Sequence, residues 1–191
     1  MNKIILVLVF IALGSLSFQK NMKSGFDIEI IQDGEYMDAV DGIVTLQKAP
    51  FTMRVKMYGI EGVQLNSSYT SKMFDLGQTG DIPDFRFIAT KTMADEPFNA
   101  SKELMISEDY YSYLYHDEGS KVHRFDSVQI EAGHVVGYKT IENLNDKDKS
   151  KSIKVEKVKN DLYLFFVATT PYEKGVDPVE LMRSRMIIKW E

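Results

Sequence analysis

The chain has no cysteine, and that absence excludes several chemistries together. No disulfide can staple the fold, no thiolate can serve as nucleophile or zinc ligand, and no lipid can be carried on an N-terminal cysteine. Histidine is nearly as scarce. Its three residues are His116, His123 and His134, and no two stand four apart. A zinc site, which commonly uses three or four histidine, cysteine or carboxylate ligands, is not expected. A Gly-x-Ser-x-Gly elbow and a glycine-rich phosphate loop are also missing, so neither that kind of serine hydrolysis nor nucleotide chemistry is indicated. Positive charge is in deficit, with 23 basic against 28 acidic residues, which leaves no electrostatic footprint for nucleic acid. Beyond the N-terminus no apolar run approaches the 18 or more residues of a membrane-spanning helix.

The N-terminus supplies the first positive feature. In "MNKIILVLVFIALGSLSFQK", Lys3 is followed by the apolar run Ile4 to Leu13 and by the small-residue exit Gly14-Ser15-Leu16-Ser17. The run is too short to cross a bilayer, so it reads as an export signal over residues 1–17, cut after Ser17. Residues 18–191 are then expected to form a single mostly β domain in the periplasm, at the cell surface or in the medium. About 174 residues bury a full core without covalent staples.

Short strands dominate that domain. "FDIEII" (26–31) alternates, and turn residues follow at Asp33-Gly34 and Asp41-Gly42. Phe51, Met53, Val55 and Met57 share one face while Thr52, Arg54, Lys56 and Tyr58 share the other, the clearest period of two in the first half. "GVQLNSSY" (62–69), the segments flanking Gly133-His134, "IKVEKV" (153–158) and "RSRMIIKW" (183–190) read as further strands. "LYLFFVA" (162–168), apolar without alternation, predicts a strand covered on both faces. Helical turns are expected at two places, after Asn99 through Ile106 and after Asp177, where Pro178 and Glu180 complete a start signal. With no helical pattern recurring between strands, the βαβ class is disfavoured. The expected fold is an antiparallel β-sandwich with one or two short helices, and a closed or partly open β-barrel is the alternative.

The most distinctive stretch is "DYYSYLYHDEG" (109–119), with four tyrosines and a histidine in seven positions. A hairpin through Asp117-Glu118-Gly119 would set Tyr113 opposite His123 and Tyr111 opposite Phe125. Tyr111, Tyr113 and Tyr115 would then share a face opposite to Ser112 and Leu114. That face is either half-buried against another layer or an aromatic platform for sugar rings or peptides; catalysis by Tyr113 with His123, and a helix over Ser107 to His116, are further alternatives. A loop from Phe74 to Phe85, pinned by those two rings, is a second expected surface.

The leading functional expectation is an exported, noncatalytic binding or structural module. Its expected ligand-binding residues are Tyr111, Tyr113, Tyr115, His123, Phe74 and Phe85, and its expected partner is a glycan or an envelope protein. No cofactor is indicated. Asp33, Glu35, Asp38 and Asp41 offer oxygens to calcium but lack the spacing of a helical calcium loop, which makes them weak candidates. A small secreted hydrolase with a carboxylate or histidine site is the alternative, and a carrier of a small apolar ligand is a further one.

Overall fold

Period-two alternation builds most of the molecule. A computed structural model describes residues 24–79, 92–93, 100–116, 125–171, 175–176 and 178–191. Its strands are, in chain order, β1 (Gly25–Gln32), β2 (Glu35–Met37), β3 (Ile43–Leu46), β4 (Phe51–Tyr58), β5 (Gly62–Ser68), β6 (Thr92–Met93), β7 (Glu103–Ile106), β8 (Tyr111–Tyr115), β9 (Ser127–Glu131), β10 (His134–Ile141), β11 (Asn143–Asp146), β12 (Lys151–Lys154), β13 (Leu162–Thr169) and β14 (Glu180–Trp190). Among the described residues one helix, α1 (Lys72–Thr79), follows β5, and one 3-10 turn at Val155–Lys157 follows β12.

Two larger sheets face each other. One runs β2-β1-β4-β10-β9, the other β3-β14-β13-β5-β8-β6, and a small β12-β11-β7 sheet stands beside them. Phe51, Met53, Val55 and Met57 of β4 are all buried and pack toward Leu162, Leu164, Phe166 and Ala168 of β13 in one core cluster. Phe26 of β1 meets Phe166 at 6.3 Å between ring centroids, and Phe51 meets Trp190 edge-on at 6.0 Å, so aromatic pairs tie the two sheets together. The other face of β13 carries Phe165 and Val167, which pack with Met73 of α1. The unalternating "LYLFFVA" is therefore a strand covered on both sides, as its pattern requires.

The mainly β, sandwich-like reading holds, and the described strands form separate sheets with edges rather than a ring. Three pairings are parallel, β7 with β11, β14 with β3 and β6 with β8, so the sheets are mixed rather than uniformly antiparallel. Both expected helix positions need correction. Glu103–Ile106 is β7, bound in register to β11, because Leu104 and Ile106 enter the core while a helix there would have no covering surface. Glu180, Leu181 and Met182 already belong to β14, whose pairing with β13 runs from Glu180 to Ile188; Asp177 lies outside the described residues. The helix is instead at Lys72–Thr79, overlapping the first part of the segment expected to be loop. Strand "IKVEKV" also stops early, at Lys154, where the 3-10 turn buries Val155.

Turn chemistry sets the register of the hairpins. Asp33-Gly34 (φ 53° and 84°) joins β1 to β2, and Ala132-Gly133 (φ 50° and 82°) joins β9 to β10, both left-handed at two successive residues as a type I′ turn requires. Asparagine or aspartate suits the first of these positions, whereas alanine is strained there. Ala132→Asn is expected to raise stability by about 1 kcal/mol, read as a higher midpoint in urea unfolding with an unchanged slope.

Candidate functional site

Strand β8 places the tyrosines as their alternation predicts. Leu114 enters the core between the large sheets, which turns Tyr111, Tyr113 and Tyr115 to the outer face of the six-stranded sheet. The three rings then meet different fates. Tyr111 is fully buried beneath α1 with Met73, Phe165 and Val167, and its ring sits edge-on to Phe165 at 6.4 Å. Burial, reinforced by the Asp109 carboxylate, pushes its ionisation well above the ordinary tyrosine range. Tyr113 and Tyr115 remain half-buried and stack on one another, 5.0 Å between centroids and 16° from parallel. They lean over Gly62 of β5, the ladder partner of Tyr115. Three rings in a row are thus reduced to an accessible pair.

The hairpin partners differ from expectation. Strand β8 is flanked by β5 and, at Tyr111 and Ser112, by β6. Phe125 stands not opposite Tyr111 but over Gly137 of β10, in the other large sheet. His123 and the turn Asp117-Glu118-Gly119 lie outside the described residues, as does Phe85. Phe74 sits on α1 rather than on a loop rim, edge-on to Tyr163 at 5.6 Å and under the Arg185 guanidinium at 4.6 Å. Because β5 lies between β13 and β8, Phe74 and the tyrosine pair are separated across the sheet. His116 donates its backbone N–H to Glu61, and His134 packs edge-on against Tyr58 at 4.8 Å. Asp33, Glu35, Asp38 and Asp41 are exposed turn and edge residues; among the described residues no group of three or more histidines or carboxylates is placed to hold a metal ion.

The outer face of the five-stranded sheet is polar and internally paired. Arg54 is bonded to Glu29, Glu131 and Tyr138, and the Tyr138 hydroxyl donates to Glu131 at 2.7 Å. The hydrogen bonds from Tyr138 and Arg54 lower the Glu131 carboxyl from its ordinary range. Tyr58 donates to Asp27, and that bond, with some burial, pushes its ionisation up to about 12.

A cleft of about 400 Å³ opens elsewhere, at the end of β5. Ser68, Tyr69 and Thr70 form one wall, Ser107, Glu108 and Asp109 another, and the β11–β12 turn with Asp146, Asp148 and Lys149 the third. Its walls are braced from behind. The Asn66 side chain donates to the carbonyls of Ser107 (3.1 Å) and Tyr110 (2.9 Å), while Asp148 accepts from the Ser107 hydroxyl (3.0 Å) and the Glu108 N–H (2.9 Å). No protein-family model, curated protein or solved structure matches the chain.

Tyr69 gives the cleft its unusual chemistry. Its hydroxyl is buried without a hydrogen-bond partner among the described residues, and burial, with the Asp146 carboxylate, pushes its ionisation up to about 12. A raised tyrosine pKa favours the neutral phenol in the folded chain, so this contribution to stability is whole below pH 10 and is lost as pH climbs toward 12. The difference in phenolate absorbance between wild type and Tyr69→Phe should accordingly appear near pH 12, not near 10. Sequence reasoning passed over this site because "NDKDKS" reads as a solvated charge run. Only the burial of Asp146, at 8% exposure, reveals that the turn folds inward.

Proposed function

We propose that the protein is an exported, noncatalytic binding module that contacts a glycan through the outer face of its six-stranded sheet. The observation that carries this reading is the stacked, half-exposed Tyr113–Tyr115 pair on a strand fixed by pairing to β5. Each ring lends one face to the other, which leaves an outer ring face and two hydroxyls to meet a sugar through its C–H face and its oxygens. The segment 1–17 supports export, and among the described residues no helix is long and apolar enough to cross a membrane.

The hydrolase alternative has less support. Its natural location would be the cleft, yet Asp146 is paired with Lys149, Asp109 with Lys72, and both oxygens of Asp148 accept hydrogen bonds. Carboxyls engaged as acceptors are poorly placed to divide into an acid and a base. The apolar-carrier alternative needs space between the sheets, where Phe26, Phe166, Met53 and Leu164 pack together instead.

Titrating cello- and chito-oligosaccharides into isotope-labelled protein and following amide NMR shifts tests the reading. Shifts are expected to cluster on residues 62–64 and 111–115, and Tyr115→Ala should weaken binding about fivefold, the equivalent of about 1 kcal/mol for one ring contact. Binding that Tyr115→Ala leaves unchanged, or shifts confined to other faces, would remove the basis of the proposal.

A further inference from the structure

An open sheet ends in edge strands, and an edge is a template for another chain unless something blunts it. Most edges among the described residues are blunted. Strands β2 and β6 are three and two residues long, β3 is bridged at Ile43 by Val40, and β12 carries Lys151 and Lys154. Strand β9, outermost in the five-stranded sheet beyond β10, has none of these devices. Its residues Ser127–Glu131 include no proline and no lysine, and the charge of Glu131 is already engaged by Arg54 and Tyr138.

The β9–β10 turn fixes which backbone groups point outward. Its type I′ geometry at Ala132-Gly133 makes Glu131 and His134 the closing hydrogen-bonded pair, so by the alternation of an antiparallel ladder Gln129 and Ser127 also turn their N–H and C=O groups to β10. Val128 and Ile130 turn theirs away from the sheet, where no hydrogen bond meets them among the described residues. The side chains of these two share the inward face: Val128 packs at the rim of the core, while Ile130 is 60% exposed. Unpaired backbone therefore runs beside an uncovered apolar side chain.

We propose that β9 pairs antiparallel with β9 of a second copy of this chain about a two-fold axis through Gln129, joining their five-stranded sheets edge to edge. The sequence "SVQIE" is complementary to itself in this register, the one in which every residue of the strand finds a partner. Val128 of each copy faces Ile130 of the other in a hydrogen-bonded pair, so the outward N–H and C=O groups and the exposed apolar side chain are satisfied together. Gln129 faces Gln129 across the axis. Ser127 faces Glu131, which keeps the two like charges from standing opposite each other. A contact of this symmetry closes as a dimer and does not propagate. It uses residues apart from the tyrosine face, so the failure of one reading leaves the other intact.

Sedimentation velocity at protein concentrations up to about 1 mM should show a monomer–dimer equilibrium, weak because so short a strand makes a small interface. Ile130→Lys should raise the dissociation constant about tenfold by removing both Val128–Ile130 pairs, with far-ultraviolet circular dichroism unchanged at this exposed position. Introduced cysteines read the register, since no native thiol competes. In Gln129→Cys the two α-carbons would lie about 4.5 Å apart, within disulfide reach, and diamide oxidation should yield a crosslinked dimer. In Ser127→Cys they would lie about 14 Å apart, and crosslinking should be far slower. A monomer at every concentration, a dimer indifferent to Ile130→Lys, or equal crosslinking of the two cysteine variants would overturn the pairing. So would a monomeric protein whose amides at 127–131 shift on adding a synthetic peptide of alternating valine and threonine, which would assign the edge to a foreign strand.

Discussion

Replacing Asp126 by alanine is expected to cost about 3–5 kcal/mol, a large part of the stability of an ordinary domain. The cause is Lys139, which points from β10 into the space between the sheets and is only 2% exposed. Its ammonium donates to the Ala100 carbonyl at 2.7 Å and lies 3.6 Å from Asp126 Oδ1. Asp126 does more than balance that charge. Its Oδ1 accepts the N–H of Lys102 at 3.0 Å and its Oδ2 the N–H of Thr140 at 2.7 Å, so one carboxylate joins two chain segments to β10. Alanine would take the Asp126 carboxylate away from a buried cation and leave the N–H groups of Lys102 and Thr140 without the oxygens that accept them. Asp126→Asn retains an acceptor and should cost less. In an Asp126→Asn background, Lys139→Met should restore part of the loss, since an apolar side chain of similar length removes the charge that asparagine cannot match. Urea unfolding of the four proteins measures each step. A loss below about 1 kcal/mol for Asp126→Ala would show that the ion pair is not what holds this corner.

Lys139 also shows where sequence legibility ends. Strands β1, β4, β5 and β13 were readable because their apolar residues alternate or run unbroken; burial follows that pattern in β4 and β13, while β1 and β5 also bury the polar Gln32, Asn66, Ser67 and Ser68. On β10 the inward positions are Val135, Gly137, Lys139 and Ile141, a series whose glycine and lysine conceal the period. Gly137 faces inward because the Phe125 ring occupies the place of its side chain, and Lys139 is tolerated because Asp126 waits 3.6 Å away. Both are long-range facts that local periodicity does not carry. The same holds for α1: "KMFDLGQT" has a loop-like composition, and it forms a helix because Met73 and Leu76 dock over Phe165, Val167 and Tyr111. For the tyrosines, alternation gave the shared face correctly, whereas the burial of Tyr111 depended on a helix that local composition concealed.

Gly62→Ala is expected to cost about 2–3 kcal/mol and to abolish sugar binding at the tyrosine face. Gly62 is buried on β5, and the objection to a side chain there is space. A Cβ would stand 2.7 Å from the Leu114 carbonyl oxygen, 2.7 Å from Tyr113 Cε2 and 2.8 Å from Tyr115 Cβ. A ring edge can swing aside at modest cost, but the carbonyl belongs to β8, whose Leu114 side chain is fixed in the core at 2% exposure. Relief therefore requires β8 to draw away from β5 at the Gly62–Tyr115 pair, the point from which the stacked rings project. Comparing Gly62→Ala in wild type and in a Tyr113→Ala background separates the two contacts. A cost that largely disappears without the Tyr113 ring would assign the clash to the side chain, and an undiminished cost would assign it to the backbone. The second outcome is expected, because removing the ring leaves the Leu114 oxygen where it is. It should be accompanied by a loss of near-ultraviolet tyrosine dichroism in the single variant, since two rings stacked at 5.0 Å couple only while β8 holds them in register. An alanine at this position that keeps full stability, tyrosine dichroism and sugar binding would mean that β5 and β8 are not in the close register that forms the tyrosine face.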